Sequence, residues 1–127
     1  ESWGSDMKIV KVSAQDQQRI DELRTRQNYH AFSLGQLEWE FLKKRAPLLD
    51  IAADGKPDLE RLGALQWEHD QRQAFWYEKI TETENQQRTV GEEALRMAGV
   101  DPDAGEFTIE GGVVMRLDNG AWFPLER

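Results

Sequence analysis

Two long stretches without proline constrain the fold of this 127-residue chain more than any other feature. The first runs from Ala14 to Ala46 and the second from Asp58 to Asp101. In the first, positions 20, 23, 27, 30, 34, 37 and 41 alternate in steps of three and four and read Ile, Leu, Gln, His, Leu, Leu, Phe. This spacing predicts one stripe of a helical hairpin or coiled coil. A helix from Ala14 to about Arg45 would be about 48 Å long at 1.5 Å per residue, too long for the interior of a small sphere.

Local signals set the bounds of the first predicted helix. Ser13 followed three residues later by Asp16 resembles a capping box, so we predict a helix over residues 13–45. Pro47 disfavours helical geometry at the residue before it. Residues 46–57 are therefore predicted to be a connection that packs over the end of the hairpin.

The second helix is predicted over residues 58–98. Gly99 is suited to the position just past a helix end, and Pro102 prevents the helix from resuming. An alternative is a break near Arg88, because Thr89-Val-Gly-Glu92 repeats the capping-box pattern and its glycine weakens a helix interior.

The segments outside the two predicted helices differ from them in the spacing of their apolar residues or in composition. Residues 106–125 predict a small three-stranded β-meander, with two-residue turns at Gly111-Gly112 and Asn119-Gly120. Residues 7–12 are a β-branched run that predicts either a short strand or an extended lead-in. Residues 1–6 are typical of sequence left by recombinant expression, so Met7 is expected to be the native start. The fold class is thus mainly α, with residues 7–127 forming a single domain.

Composition and motifs argue against several classes of function. The net charge of -8 opposes binding to a nucleic-acid backbone, and the apolar runs are too short for a membrane span. The chain has no cysteine, only two histidines and no HExxH spacing, so we expect no metal site. No catalytic or cofactor-binding motif is present, so we expect a non-enzymatic protein without a cofactor. Because the apolar runs are short, we also expect the protein to be located in the cytoplasm.

Aromatic residues on the two predicted helices are the most informative candidates for a binding surface. Phe75, Trp76 and Tyr77 are consecutive and spread over more than half of a helix circumference, so one partner helix cannot cover them all. Phe32 and Trp39 lie off the first stripe, and Trp67 belongs to a second seam. We predict a homo-oligomer interface formed by Phe32, Trp39, Trp67, Phe75, Trp76 and Tyr77. The alternative is a groove that these side chains line for a ligand or a foreign protein.

Polar residues interrupt the apolar stripes in the middle of the hairpin. A turn near Ile51 would bring Gln27, His30, His69, Arg72 and Gln73 close together. They predict a polar layer that fixes register and oligomeric state, as buried polar residues do in coiled coils. The alternatives are a polar ligand pocket or a pair of histidines that responds to pH.

Four short segments together resemble small uncharacterised proteins of tailed phages and prophages. They are Leu34-Gly-Gln-Leu-Glu38, Gly99-Val-Asp-Pro102, Glu106-Phe-Thr-Ile109 and Asn119-Gly-Ala-Trp-Phe-Pro124. The resemblance implies a helical hairpin with a short extended C-terminal segment, and an accessory or structural-assembly role in the host cytoplasm. It also implies another phage or host protein as a partner, and it brings no catalytic residue.

These observations lead to two functional hypotheses. The first is a non-enzymatic interaction protein that oligomerises through its second apolar face. The second is a small-molecule binder that sequesters a nucleotide-like signal between helices or subunits, based on His30, His69, Arg72 and Trp76.

Overall fold

The computed structural model describes residues 8–49 and 58–127, and it contains two long helices and a small sheet. The elements are α1 (Ala14–Leu49), α2 (Leu59–Met97), a 3-10 turn (Pro102–Ala104), β1 (Phe107–Glu110), β2 (Val113–Asp118) and β3 (Ala121–Pro124). The predicted antiparallel helical hairpin with a C-terminal β-meander is confirmed. The predictions for residues 1–6, Met7 and Ile51 lie outside the described residues.

Side-chain and backbone caps fix three of the four helix ends. The amide of Asp16 donates to Ser13 Oγ at 3.0 Å, and the amide of Arg61 donates to Asp58 Oδ1 at 3.1 Å. Both contacts satisfy amides that the first turn of a helix leaves unpaired. At the end of α2, Gly99 has a φ of 81°, and the amide of Val100 donates to the carbonyl of Leu95 at 2.8 Å. This is a Schellman motif, which needs a left-handed residue and therefore favours glycine.

The end of α1 differs from the prediction. The helix does not end at Arg45 but continues through Pro47 to Leu49. Proline removes one helical hydrogen bond, to the carbonyl of Lys43, and here only two residues of the helix follow it. Continuing the helix places Leu48, which is half-buried, seven residues after the buried Phe41 and so on the same face.

Helix α2 is continuous from Leu59 to Met97, so the alternative of a break near Arg88 is wrong. The Thr89 hydroxyl donates to the carbonyl of Asn85, one turn earlier, at 3.1 Å. The Thr89 hydroxyl is therefore hydrogen-bonded to the preceding turn of α2 and does not cap a new helix.

The three strands form an antiparallel sheet in the order β1-β2-β3. Each hairpin closes over two residues, because Glu110 pairs with Val113 and Asp118 pairs with Ala121. All four turn residues have positive φ: Gly111 56°, Gly112 81°, Asn119 52° and Gly120 80°. These angles belong to the type I′ turn, which matches the twist of the flanking strands.

The segment before α1 is extended but forms isolated bridges and no regular strand. It pairs Ile9 with Glu126 and Lys11 with Val113. The amide of Val10 donates to the carbonyl of Leu125 at 3.0 Å, and the carbonyl of Val10 accepts from Val114 at 2.9 Å. Of the two predictions for residues 7–12, the extended lead-in describes residues 8–12 better.

The chain divides into two compact units. The sheet unit comprises residues 1–25 and 85–127, and the hairpin unit comprises residues 26–84. The hydrophobic core lies in the sheet unit and consists of Val10, Ile20, Leu23, Val90, Ala94, Leu95, Val100, Ile109 and Val114.

Candidate functional site

Five of the six predicted interface aromatics are exposed to solvent. The exposed fractions are 62% for Phe32, 61% for Trp39, 67% for Trp67, 50% for Phe75 and 53% for Tyr77. Trp76 is half-buried and points toward α1, where its ring lies 6.1 Å from that of Tyr29 in a T-shaped arrangement. Trp76 therefore belongs to the packing between the helices of the hairpin unit.

The five exposed aromatics do not share one surface. Phe32 and Trp39 are seven residues apart on α1, on the side of that helix away from its buried stripe. Trp67 lies on the corresponding outer face of α2. Phe75 and Tyr77 point about 160° apart around α2, because each residue advances the helix by about 100°. They occupy its two flanks. The predicted interface therefore combined residues that lie on several faces of the two helices.

The five predicted polar residues also separate, because the hairpin register differs from the prediction. A turn near Ile51 would place His30 beside Arg72, whereas His30 contacts Thr83 instead. The difference follows from the helix ends, since α1 reaches Leu49 and α2 begins at Leu59. The midpoint of the connection along the sequence thus lies near position 54 and not near position 51. Each residue of α1 therefore faces a later residue of α2 than the prediction gave.

The first polar cluster contains His30 and Thr83, and both are buried. The distance from Thr83 Oγ1 to His30 Nδ1 is 3.1 Å, and Oγ1 also donates to the carbonyl of Lys79 at 2.9 Å. A hydroxyl has a single proton, so Oγ1 accepts from His30 and the proton of the imidazole is on Nδ1. One turn away along α1, Gln27 Nε2 donates to Glu84 Oε1 at 3.5 Å.

The second polar cluster contains His69, Glu38 and Gln73. His69 is 6% exposed, its Nε2 lies 3.1 Å from Glu38 Oε1, and its ring stacks on Phe41 with centroids 4.0 Å apart. Gln73 Nε2 donates to the same Glu38 oxygen at 2.9 Å. His69 Nδ1 is buried and has no hydrogen-bond partner among residues 8–49 and 58–127.

A small cavity of about 20 Å³ lies beside His69 and is lined by residues that include Phe41 and Arg72. This volume holds about one water molecule. Arg72 itself pairs with Glu68 at 2.7 Å on the surface of α2.

Sequence reasoning missed Glu38, Thr83 and Glu84 as partners of the polar residues. The sequence contains no signal that would select them, because they become neighbours only in the correct hairpin register. A cavity of about 500 Å³ in the sheet unit was also missed. Its walls come from α1, α2 and the β-strands, which are distant in sequence.

Within residues 8–49 and 58–127, no group of three or more His, Cys, Asp and Glu side chains is arranged to hold a metal ion. In the same part of the chain, neither helix has an apolar segment long enough to cross a membrane. Comparisons with protein families, with curated proteins and with solved structures found no match to this chain.

Proposed function

We propose that this chain is a non-enzymatic, self-associating interaction module with an accessory or structural-assembly role, as in tailed phages. The supporting observation is an exposed seam on the outer face of α1. Its seven positions are spaced four and three residues apart and are Asn28, Phe32, Gly35, Trp39, Leu42, Ala46 and Leu49. Every one of them is exposed, and none is charged.

The seam has the pattern of a coiled-coil interface. Spacings of four and three repeat over three heptads, about 33 Å of helix, which suffices for helix pairing. The buried residues His30, Leu37 and Phe41 lie half a turn away, so the seam cannot contribute to packing inside its own hairpin. The large seam side chains are left half-exposed or more, with Leu42 at 50% and Leu49 at 51%.

A second copy of the chain is the occupant that fits this seam best. If two α1 helices pair antiparallel about a two-fold axis so that facing position numbers sum to 74, Trp39 faces Gly35 of the second copy and Phe32 faces Leu42. The same register brings Asn28 opposite Ala46. Each large ring then meets a smaller residue, which is how facing positions fill a core without voids. A parallel pair would instead place Trp39 against Trp39 and Gly35 against Gly35.

Gly35 supports the antiparallel arrangement. A Cβ added at Gly35 would meet no atom of the described residues within 4 Å, so none of their contacts requires glycine there. Glycine in a helix interior costs about 1 kcal/mol relative to alanine. The tryptophan ring of a second copy would account for the missing side chain.

Sedimentation equilibrium tests the proposal. We expect a dimer at micromolar concentration, and Trp39→Ala should weaken the dimer at least tenfold in Kd, because truncating a central interface aromatic typically costs about 2 kcal/mol or more. Trp67→Ala removes an equally exposed ring from the outer face of α2 and is the matched control, expected to leave the dimer intact. A parent chain that sediments as a monomer would overturn the proposed function.

Cysteine cross-linking tests the orientation, and the absence of native cysteine keeps the result unambiguous. Asn28→Cys mixed with Ala46→Cys should give a mixed disulfide dimer in the antiparallel arrangement. Asn28→Cys alone should cross-link to itself only if the helices run parallel. The second result, in a chain that is dimeric, would refute the antiparallel register while leaving self-association in place.

A further inference from the structure

The sheet unit contains a cavity of about 500 Å³, which belongs to a part of the molecule that self-association of α1 does not use. The cavity is partly open to solvent, and its volume lies within the range of about 300–1,000 Å³ that is typical of small-molecule sites. All residues that line this cavity belong to the sheet unit.

The surface of the cavity is largely apolar and includes aromatic side chains. Ile20, Leu95 and Ile109 are buried core residues that also line the cavity. Phe107 on β1 is half-buried, and Trp122 on β3 retains 44% of its exposed area. Two aromatic rings at an apolar cavity are suited to a flat ring, because aromatic pairs gain from stacked or edge contacts beyond burial alone.

Gly91 leaves the α2 wall of the cavity without a side chain. It lies inside α2 on the cavity wall, and a Cβ built there would meet nothing within 4 Å. Its φ is helical, since it is not among the residues with positive φ. No atom of the described residues would contact a Cβ at this position. A ligand in the cavity could therefore approach the α2 backbone closely.

The charged side chains around the cavity differ in how they are paired. Arg24 donates to the carbonyl of Ile109 at 2.7 Å and pairs with Glu110 at 3.2 Å, so its position is fixed. Glu92 pairs with Arg96 at 3.6 Å. Arg88 is hydrogen-bonded to the side chain of Asn85, and no carboxylate of the described residues lies within 4.0 Å of its guanidinium.

Arg88 is thus the cation at the cavity that a ligand could pair with. A guanidinium binds a carboxylate, sulfonate or phosphate through charge-assisted hydrogen bonds. Glu106 also lines the cavity and disfavours a ligand with several negative charges. We propose that the cavity binds a planar aromatic molecule with one anionic group, the ring lying against Phe107 and Trp122 and the anion bound by Arg88.

Two fluorescent probes of the same shape test this proposal. 8-Anilinonaphthalene-1-sulfonate carries one sulfonate, and N-phenyl-1-naphthylamine is the same ring system without it. We expect both probes to bind the parent chain with increased fluorescence. Arg88→Gln should weaken binding of the sulfonate probe roughly tenfold and leave the neutral probe unchanged, because only the first uses the guanidinium. Arg72→Gln, on the same helix but in the hairpin unit, is the matched control.

Filling the cavity tests its location. Gly91→Leu should abolish binding of both probes, and Gly91→Ala should weaken it while the melting temperature stays at or above that of the parent. Gly63→Leu places the same side chain elsewhere on α2, where a Cβ is equally unobstructed, and should leave binding unchanged. If Gly91→Leu does not fold, Gly91→Ala and Arg88→Gln decide the outcome.

The exposed aromatics of the hairpin unit provide the competing explanation for probe binding. The proposal fails if Trp39→Ala is the variant that removes probe fluorescence, or if Arg88→Gln affects both probes equally. Neither result would bear on self-association, which sedimentation measures without a probe.

Discussion

The two units of the molecule bury very different side chains. The sheet unit has a core cluster of nine buried hydrophobic residues. Among the described residues of the hairpin unit, the buried hydrophobic side chains are Leu37 and Phe41, accompanied by the buried polar residues His30, His69 and Thr83. The exposed large hydrophobic side chains show the opposite distribution. Among residues 8–49 and 58–127, nine belong to the hairpin unit and three, Met97, Trp122 and Phe123, to the sheet unit.

This difference indicates how each unit is stabilised. Burial of apolar area contributes about 25 cal/mol per Å², and the sheet unit obtains this within one chain. A pair of helices with a partly polar interface obtains much less, while it exposes tryptophan and phenylalanine that another surface could cover. The hairpin unit therefore leaves large apolar side chains exposed, and the proposed self-association would cover some of them.

The largest expected effect comes from truncating the core of the sheet unit. Ile109→Ala should lower the free energy of unfolding by about 2–4 kcal/mol, because it removes a side chain that is 4% exposed and leaves a cavity. Urea denaturation followed by circular dichroism measures this change. Leu42→Ala in the hairpin unit should change it by no more than about 0.5 kcal/mol in a chain dilute enough to be monomeric. Similar losses for both variants would contradict the contrast between the units.

A smaller effect is expected from the polar cluster of the hairpin unit. Thr83→Val should cost about 1–3 kcal/mol, because it leaves the buried Nδ1 proton of His30 without an acceptor. Combining it with His30→Leu should recover most of that loss, since removing both partners leaves no unpaired polar group. Thermal denaturation of the two single variants and the double variant gives the coupling energy. Additive losses would mean that the two side chains do not interact as described.

The smallest effects compare one glycine from each unit. Gly99→Ala should cost about 1 kcal/mol or more, because Gly99 has a φ of 81° and an added Cβ would lie 3.0 Å from the Arg127 side chain. Gly63→Ala should instead stabilise the chain by up to about 1 kcal/mol, because an added Cβ there meets nothing within 4 Å. Melting temperatures that shift in the same direction would refute this distinction.

Most of the fold follows from local sequence signals. The caps at Ser13 and Gly99 and the two-residue turns depend on residues that are neighbours in sequence, and they are found where they are predicted. The predicted end of α1 was wrong because it considered only how Pro47 restricts the backbone of the residue before it. The half-buried Leu48 lies on the same face as Phe41, and a proline in the last turn of a helix removes only one of its hydrogen bonds.

The candidate sites could be predicted only in part. The exposure of Phe32 and Trp39 follows from their spacing relative to the apolar stripe, and rotation by 100° per residue would have separated Phe75 from Tyr77. The partners of His30 and His69 depend on a register that shifts with the length of the connection. The cavity is lined by residues as far apart in sequence as Ile20 and Trp122. No periodic pattern in the sequence indicates that such distant residues are neighbours in space.

The backbone hydrogen bond between Val10 and Val114 has a consequence for the newly made chain. A ribosome that adds about 5–20 residues per second makes Val114 roughly 5–20 seconds after Val10. The segment before α1 therefore lacks its β-strand partners until after the whole hairpin unit has been synthesised. In the proposed dimer, the α1 seam of a nascent chain is therefore complete before that chain can finish its own sheet.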